Sequence, residues 1–110
     1  MAFYLYQLAY SKEAIQSMVA TPSDREAAAR KLIEALGGKL HHLFFAFGEW
    51  DVICLVEGPD DKMMMAGAAA VASAGTVSRS STIKLMTAAD AMAAMTMAGK
   101  VTGTYKPPMN

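Results

Sequence analysis

The side chains able to do chemistry gather in one stretch of this 110-residue chain. The segment HHLFFAFGEWDVICLVEGPDD, residues 41–61, holds adjacent histidines, a tryptophan flanked by Glu49 and Asp51, one cysteine and an acidic pair. His42 is a candidate proton donor or acceptor, or a haem or metal ligand. Asp51 is a candidate general base or ligand anchor; the alternative is a carboxylate that accepts backbone N–H bonds at a turn. Tyr4 and Tyr6 would add polar tips on apolar bodies to the same site. In a regular strand His41 and His42 point to opposite faces, so they do not chelate one ion within a chain. Cys54 sits among apolar residues with nothing nearby in sequence to lower its pKa, so it reads as packing rather than as a nucleophile.

Other groups carry weaker signals. Met63–Met65 and Met92, Met95 and Met97 raise Cu(I) thioether ligation, but flexible packing against small residues is the simpler account. Arg79 and Lys84 could meet an anionic ligand. No phosphate loop, zinc pattern, nucleophile elbow or dinucleotide fingerprint occurs.

Composition narrows the classes. Ten basic and ten acidic residues cancel, with no basic run or stripe, so nucleic acid is not an expected partner. The single cysteine suits a reducing compartment. The opening MAFYLYQLAY lacks a basic n-region and a cleavage site, and no segment reaches the ~20 apolar residues of a membrane span. The expectation is a cytoplasmic protein that does not enter a membrane.

The elements that must position these residues follow from periodicity and punctuation. Phe3–Tyr10 reads as a strand. Ser11 caps a short helical segment ending near Val19. After Thr21-Pro22, Ser23–Glu26 has the pattern of a capping box, and Gly37-Gly38 ends the helix it starts. Lys39–Phe47 and Trp50–Glu57 are strands joined by Gly48-Glu49, a two-residue hairpin turn with glycine at the position needing positive φ. Pro59 and the following aspartates open a helix of small residues and Met, stopped by Gly75. Thr76–Met86 is the fourth strand. Thr87 caps a last helix to about Ala98, so residues 1–98 form one domain and 99–110 a flexible or docking tail. The order βαββαβ plus a helix is the split βαβ, or ferredoxin-like, α+β pattern: a four-stranded antiparallel sheet with helices on one face.

That turn fixes a register. Phe44 opposes Ile53, His42 opposes Leu55 and Ala46 opposes Asp51, and opposed residues share a face. His41, Leu43, Phe45, Val52, Cys54 and Val56 then face the helices. The other side is mixed but still carries Phe44, Ile53 and Leu55, and Tyr4, Tyr6, His42 and Asp51 are expected there. A half-solvated sheet should alternate apolar and polar, and this one does not. A bare face of roughly 400 Å² is near the largest a monomer leaves open. Self-association into a face-to-face homodimer, or a higher homo-oligomer, would cover it; the alternative is the last helix folding back over the sheet.

GGKLHHLFFAFGEWDVICLVEGPDD resembles the GYD-domain family, whose glycine pair, strand, Gly-X-Tyr-Asp turn, apolar strand and acidic helix start it reproduces over about residues 3–90. Gly48 and Asp51 match that motif, and Trp50 stands where the family has tyrosine. A similar turn occurs in the ligand-sensing domain of leucine-responsive regulators, whose DNA-binding helical domain has no counterpart in this sequence. The resemblance implies a dimeric α/β barrel. On it rests the expectation of a small-molecule binding protein whose ligand is small and apolar and whose cofactor, if any, is unknown. The alternatives are a small cofactor-independent or haem- or metal-assisted enzyme, with His42 and Asp51 as acid and base and Tyr6 as an orienter, and a structural or assembly subunit.

Overall fold

A computed structural model describes residues 1–108. Its strands are β1 (Ala2–Tyr10), β2 (Lys39–Phe45), β3 (Val52–Gly58) and β4 (Val77–Leu85). Its helices are α1 (Lys12–Ala20), α2 (Arg25–Ala35), α3 (Asp61–Ser73) and α4 (Ala88–Gly99), followed by a 3₁₀ turn at Thr102–Thr104. The strands form one antiparallel sheet in the order β2-β3-β1-β4, the ferredoxin-like arrangement expected from the element order.

Local chemistry explains most boundaries. Ser11 Oγ accepts the Ala14 N–H at 3.1 Å and starts α1. The cap of α2 is Asp24, not Ser23: Asp24 Oδ1 accepts the Ala27 N–H, the third amide of the helix, at 3.1 Å. Asp60 caps α3 through the Met63 N–H at 2.9 Å, leaving Pro59 just outside the helix. Thr87 caps α4.

α2 lies over β2 and α3 over β3. Between them and the sheet sit Tyr4, Tyr6, Leu8, Ile33, Leu40, Val52, Cys54, Val56, Met63 and Met64, all buried. Gly38 and Gly58 leave the space that Met63 fills, since a Cβ at either would run into its side chain. Met63 and Met64 are therefore core, whereas Met65 points to solvent. The α3 stripe of Ala and Gly leaves an apolar hollow of about 70 Å³ lined by Ile33, Leu40, Cys54, Met64, Gly67 and Val71. Among the described residues no helix lies on the opposite face of the sheet. α4 does not fold back to cover it: its residues are exposed, apart from half-buried Ala91. Among the described residues no helix is long and apolar enough to cross a membrane.

Candidate functional site on the open sheet face

The β2–β3 register matches the expectation over most of its length, with His42 opposite Leu55, Phe44 opposite Ile53 and Phe45 opposite Val52. It breaks at His41. Leu40 pairs with Val56 and His42 with Leu55, so His41 is an extra residue in a β-bulge. A bulge interrupts strict alternation and re-aims a side chain. Leu40 stays in the core while His41 turns to the open face: its ring lies 5.9 Å from that of Phe3, and its Nε2 lies 2.8 Å from Glu57 Oε1. Phe3 and Glu57 are register partners on that face. His42 is beside it, stacked 5.6 Å from Phe44. The expectation that the histidines point apart is thus corrected; the bulge puts both on one surface.

The result is a polar corner on an apolar floor. Leu5, Ile53 and Leu55 are half-buried, and Phe44 and Ile83 are exposed. His41 and Glu57 are each about a quarter exposed, at 25% and 22% of their side chains. The carboxylate holds one ring nitrogen of His41, which orients the imidazole and leaves the other nitrogen to act on a bound molecule. Among the described residues no three His, Cys, Asp or Glu side chains converge as a metal cluster.

The structure separates the other expected site residues from this corner. Tyr4 pairs with Val56 and Tyr6 with Cys54, which places both tyrosines on the helix side. Tyr4 donates to Asp61 Oδ1 at 2.5 Å, and Lys84 Nζ lies 2.9 Å from the same oxygen. Burial and the neighbouring Asp61 push the Tyr4 phenol up to about 12. The Tyr4 and Lys84 hydrogen bonds hold the Asp61 carboxyl below its usual range. The Tyr6 hydroxyl is buried without a hydrogen-bond partner among the described residues, and burial raises its pKa.

Asp51 sits at the far end of the hairpin and ties strands together. Its Oδ2 accepts the Tyr10 N–H at 2.9 Å, its N–H donates to Leu8 C=O at 2.8 Å, and its carbonyl accepts from Ala46 N–H at 2.9 Å. That last bond closes the hairpin, so the tip is the four residues Phe47–Trp50 rather than two, with Gly48 at φ +99°. Arg79 clamps the tip, its guanidinium 4.6 Å from the Trp50 ring centroid and 3.2 Å from Glu49 Oε1. Arg79 and Lys84 are thereby both engaged within the chain, on opposite faces of β4.

The Gly-X-aromatic-Asp turn therefore has a structural explanation here, and a model of the GYD domain matches residues 4–95. The chain belongs to the GYD-domain family. No curated protein matches it. Among solved structures it is similar to FFRP-DM1, at 14% identity and TM-score 0.50, covering 78% of this chain and 100% of that one. It is also similar to MtbAldR, at 14% identity and TM-score 0.54, covering 78% of this chain and 52% of that one. The GYD chain thus spans about half the length of MtbAldR, and likenesses at this identity speak to the fold alone.

Regular alternation put His41 on the helix side and gave Glu57 no role, because a bulge has only a faint local mark. The one available hint was the run His41-His42 between Leu40 and Leu43, which places polar side chains on both faces of a strand whose neighbours are apolar.

Proposed function

We propose that this GYD-domain protein is a homodimeric small-molecule binding protein whose ligand lies on the open sheet face, between two copies of the chain. The observation that carries the reading is the bulge at His41, which gathers His41, His42 and Glu57 at one corner of an otherwise apolar surface. Apolar walls with a few convergent polar groups are the usual make-up of a small-molecule site. The face suits a flat apolar molecule bearing one group that hydrogen-bonds to imidazole. A second copy would exclude water from it and close the chamber with two-fold symmetry. Of the expected ligand contacts, His42 belongs to this site; Tyr4 and Tyr6 lie behind the sheet, and the Asp51 carboxylate is engaged by Tyr10.

A second reading, proton transfer on such a molecule, is favoured by the His41–Glu57 contact. A carboxylate that fixes one imidazole nitrogen makes the other a positioned general base.

Histidine and methyl NMR on the full chain, during a screen of phenols and aromatic acids, tests binding. The expected hits shift His41, His42 and the Leu55 methyls together and are lost in His42→Ala. Hits that move only Val71 and Leu40 would relocate the site to the hollow behind the sheet. Light scattering at micromolar concentration tests the dimer; a species of 11.7 kDa refutes it.

A further inference from the structure

Among the described residues no element covers α4, which is exposed along its length apart from half-buried Ala91. It consists of Ala, Met and Gly apart from Asp90 and Thr96. Ala88, Ala91, Met92, Met95 and Gly99 recur at helical spacing and form one stripe. Met92 and Met95 are 69% and 72% exposed. An isolated helix of 12 residues is marginal in water without tertiary packing. The chain is also far from compact. Its radius of gyration is 18.2 Å and its longest extent 60 Å, against about 13 Å for a compact chain of this length.

Two features connect α4 to the open face. It leaves the sheet directly from edge strand β4, after only Met86 and Thr87. At its root is an apolar notch of about 240 Å³ lined by Phe3, Leu55, Leu85, Met86 and Thr87, which opens on that face.

Area favours a second copy as the occupant. Strands of seven to nine residues give a four-stranded face of about 500 Å² in projection. A stable interface takes about 800 Å² from each partner. The accessible area of the sheet face is larger than its projection, which puts that face alone near the lower end of the stable range, about 600 Å² per partner. An arm given and an arm received, each about 18 Å long and about 10 Å wide, add about 360 Å² in projection to each copy and carry the interface well inside the stable range.

From this we infer that α4 is an exchange arm: in the homodimer on which the proposed function rests, the α4 of each chain packs its Met92–Met95 stripe against the second copy. The arm would then flank the chamber and help exclude water from a site that neither chain closes alone.

Sedimentation of the full-length chain carrying both Met92→Glu and Met95→Glu tests this, with circular dichroism to show that the sheet is intact. The expected result is a dimer dissociation constant raised at least about 100-fold, with Met92→Leu plus Met95→Leu leaving it within a few-fold. A double-Glu chain that dimerises normally overturns the arm and leaves the sheet interface standing. Leu55→Asp separates the two claims: if it leaves a dimer that the double-Glu change dissolves, the arm holds and the sheet interface fails. A photo-crosslinking residue at Met95, in a mixture of ¹⁴N and ¹⁵N chains, identifies the neighbour. Mixed-isotope adducts support exchange. An adduct within one chain shows that α4 folds back on its own body, and an unaltered chain that stays monomeric leaves α4 free for a different protein; either overturns the proposal.

Discussion

The two ends of the β2–β3 hairpin carry similar residue types and put them to different uses. At the tip, Glu49, Asp51, Trp50 and Arg79 satisfy one another and the backbone: Asp51 secures Tyr10, and Arg79 spans Trp50 and Glu49. At the bulge, His41 and Glu57 pair, but beside His42 they still face an uncovered apolar surface. A charged motif at a turn is therefore not by itself a site. What separates the ends is how much of each polar group is left after the fold has used it.

This contrast can be broken by substitution. Asp51→Ala should have the largest effect, leaving the Tyr10 N–H unpaired in a half-buried setting and costing about 1–3 kcal/mol, read by urea unfolding. If instead stability is unchanged and ligand shifts vanish, the tip is the site and the contrast reverses. Gly48→Ala forces a Cβ into φ +99° and should cost about 1–2 kcal/mol, with the His41 and His42 resonances unmoved. Glu57→Gln should cost under about 1 kcal/mol, as expected of a partly exposed pair, yet should weaken binding of any ligand that needs an oriented imidazole. Removing His41 altogether should sharpen the comparison further. Leu40 and His42 would become neighbours in a regular ladder, Leu40 still inward and His42 still outward, with the fold kept and the dyad gone.

The smallest effect is a pH dependence at a third place, the Tyr4–Asp61–Lys84 group behind the sheet. Asp61 has a lowered folded-state pKa, so its contribution to stability is present above the ordinary carboxylate range and disappears as pH falls through the folded value. Tyr4 is raised from 10.0 to about 12, so its contribution is full below pH 10.0 and disappears as pH rises towards 12. Urea midpoints against pH should show both limbs. Asp61→Asn should remove the Asp61 share of the acid limb and shrink the alkaline one, since burial of Tyr4 remains.

Legibility in the sequence followed the range of the forces. Caps and stops rest on one or two side chains, and Ser11, Thr87, Gly37 and Gly75 act where their types place them. The hairpin register was readable from Gly48 because a strand has period two and Phe44–Ile53 and His42–Leu55 follow from any symmetric closure there. The Tyr4 and Tyr6 faces were not readable. β1 is apolar on both sides, and only its pairing with Cys54 and Val56 decides which side meets the helices. The bulge shows only in the pairing of β2 with β3, where Leu40 meets Val56 and His42 meets Leu55, and one extra residue leaves no more trace in the sequence than the His41-His42 run. That one extra residue decided the candidate site.

Cys54 offers a use of its own. It is the chain's lone thiol, it is 5% exposed, and burial pushes it up to about 11. At neutral pH it is protonated and shielded, so an alkylating reagent reaches it only when β3 separates from the helices. Its labelling rate is thus a built-in clock for opening of the molecule, needing no engineered probe. Run against protein concentration, the clock should slow as copies assemble, turning one sulfur atom into a gauge of how far assembly protects the whole fold.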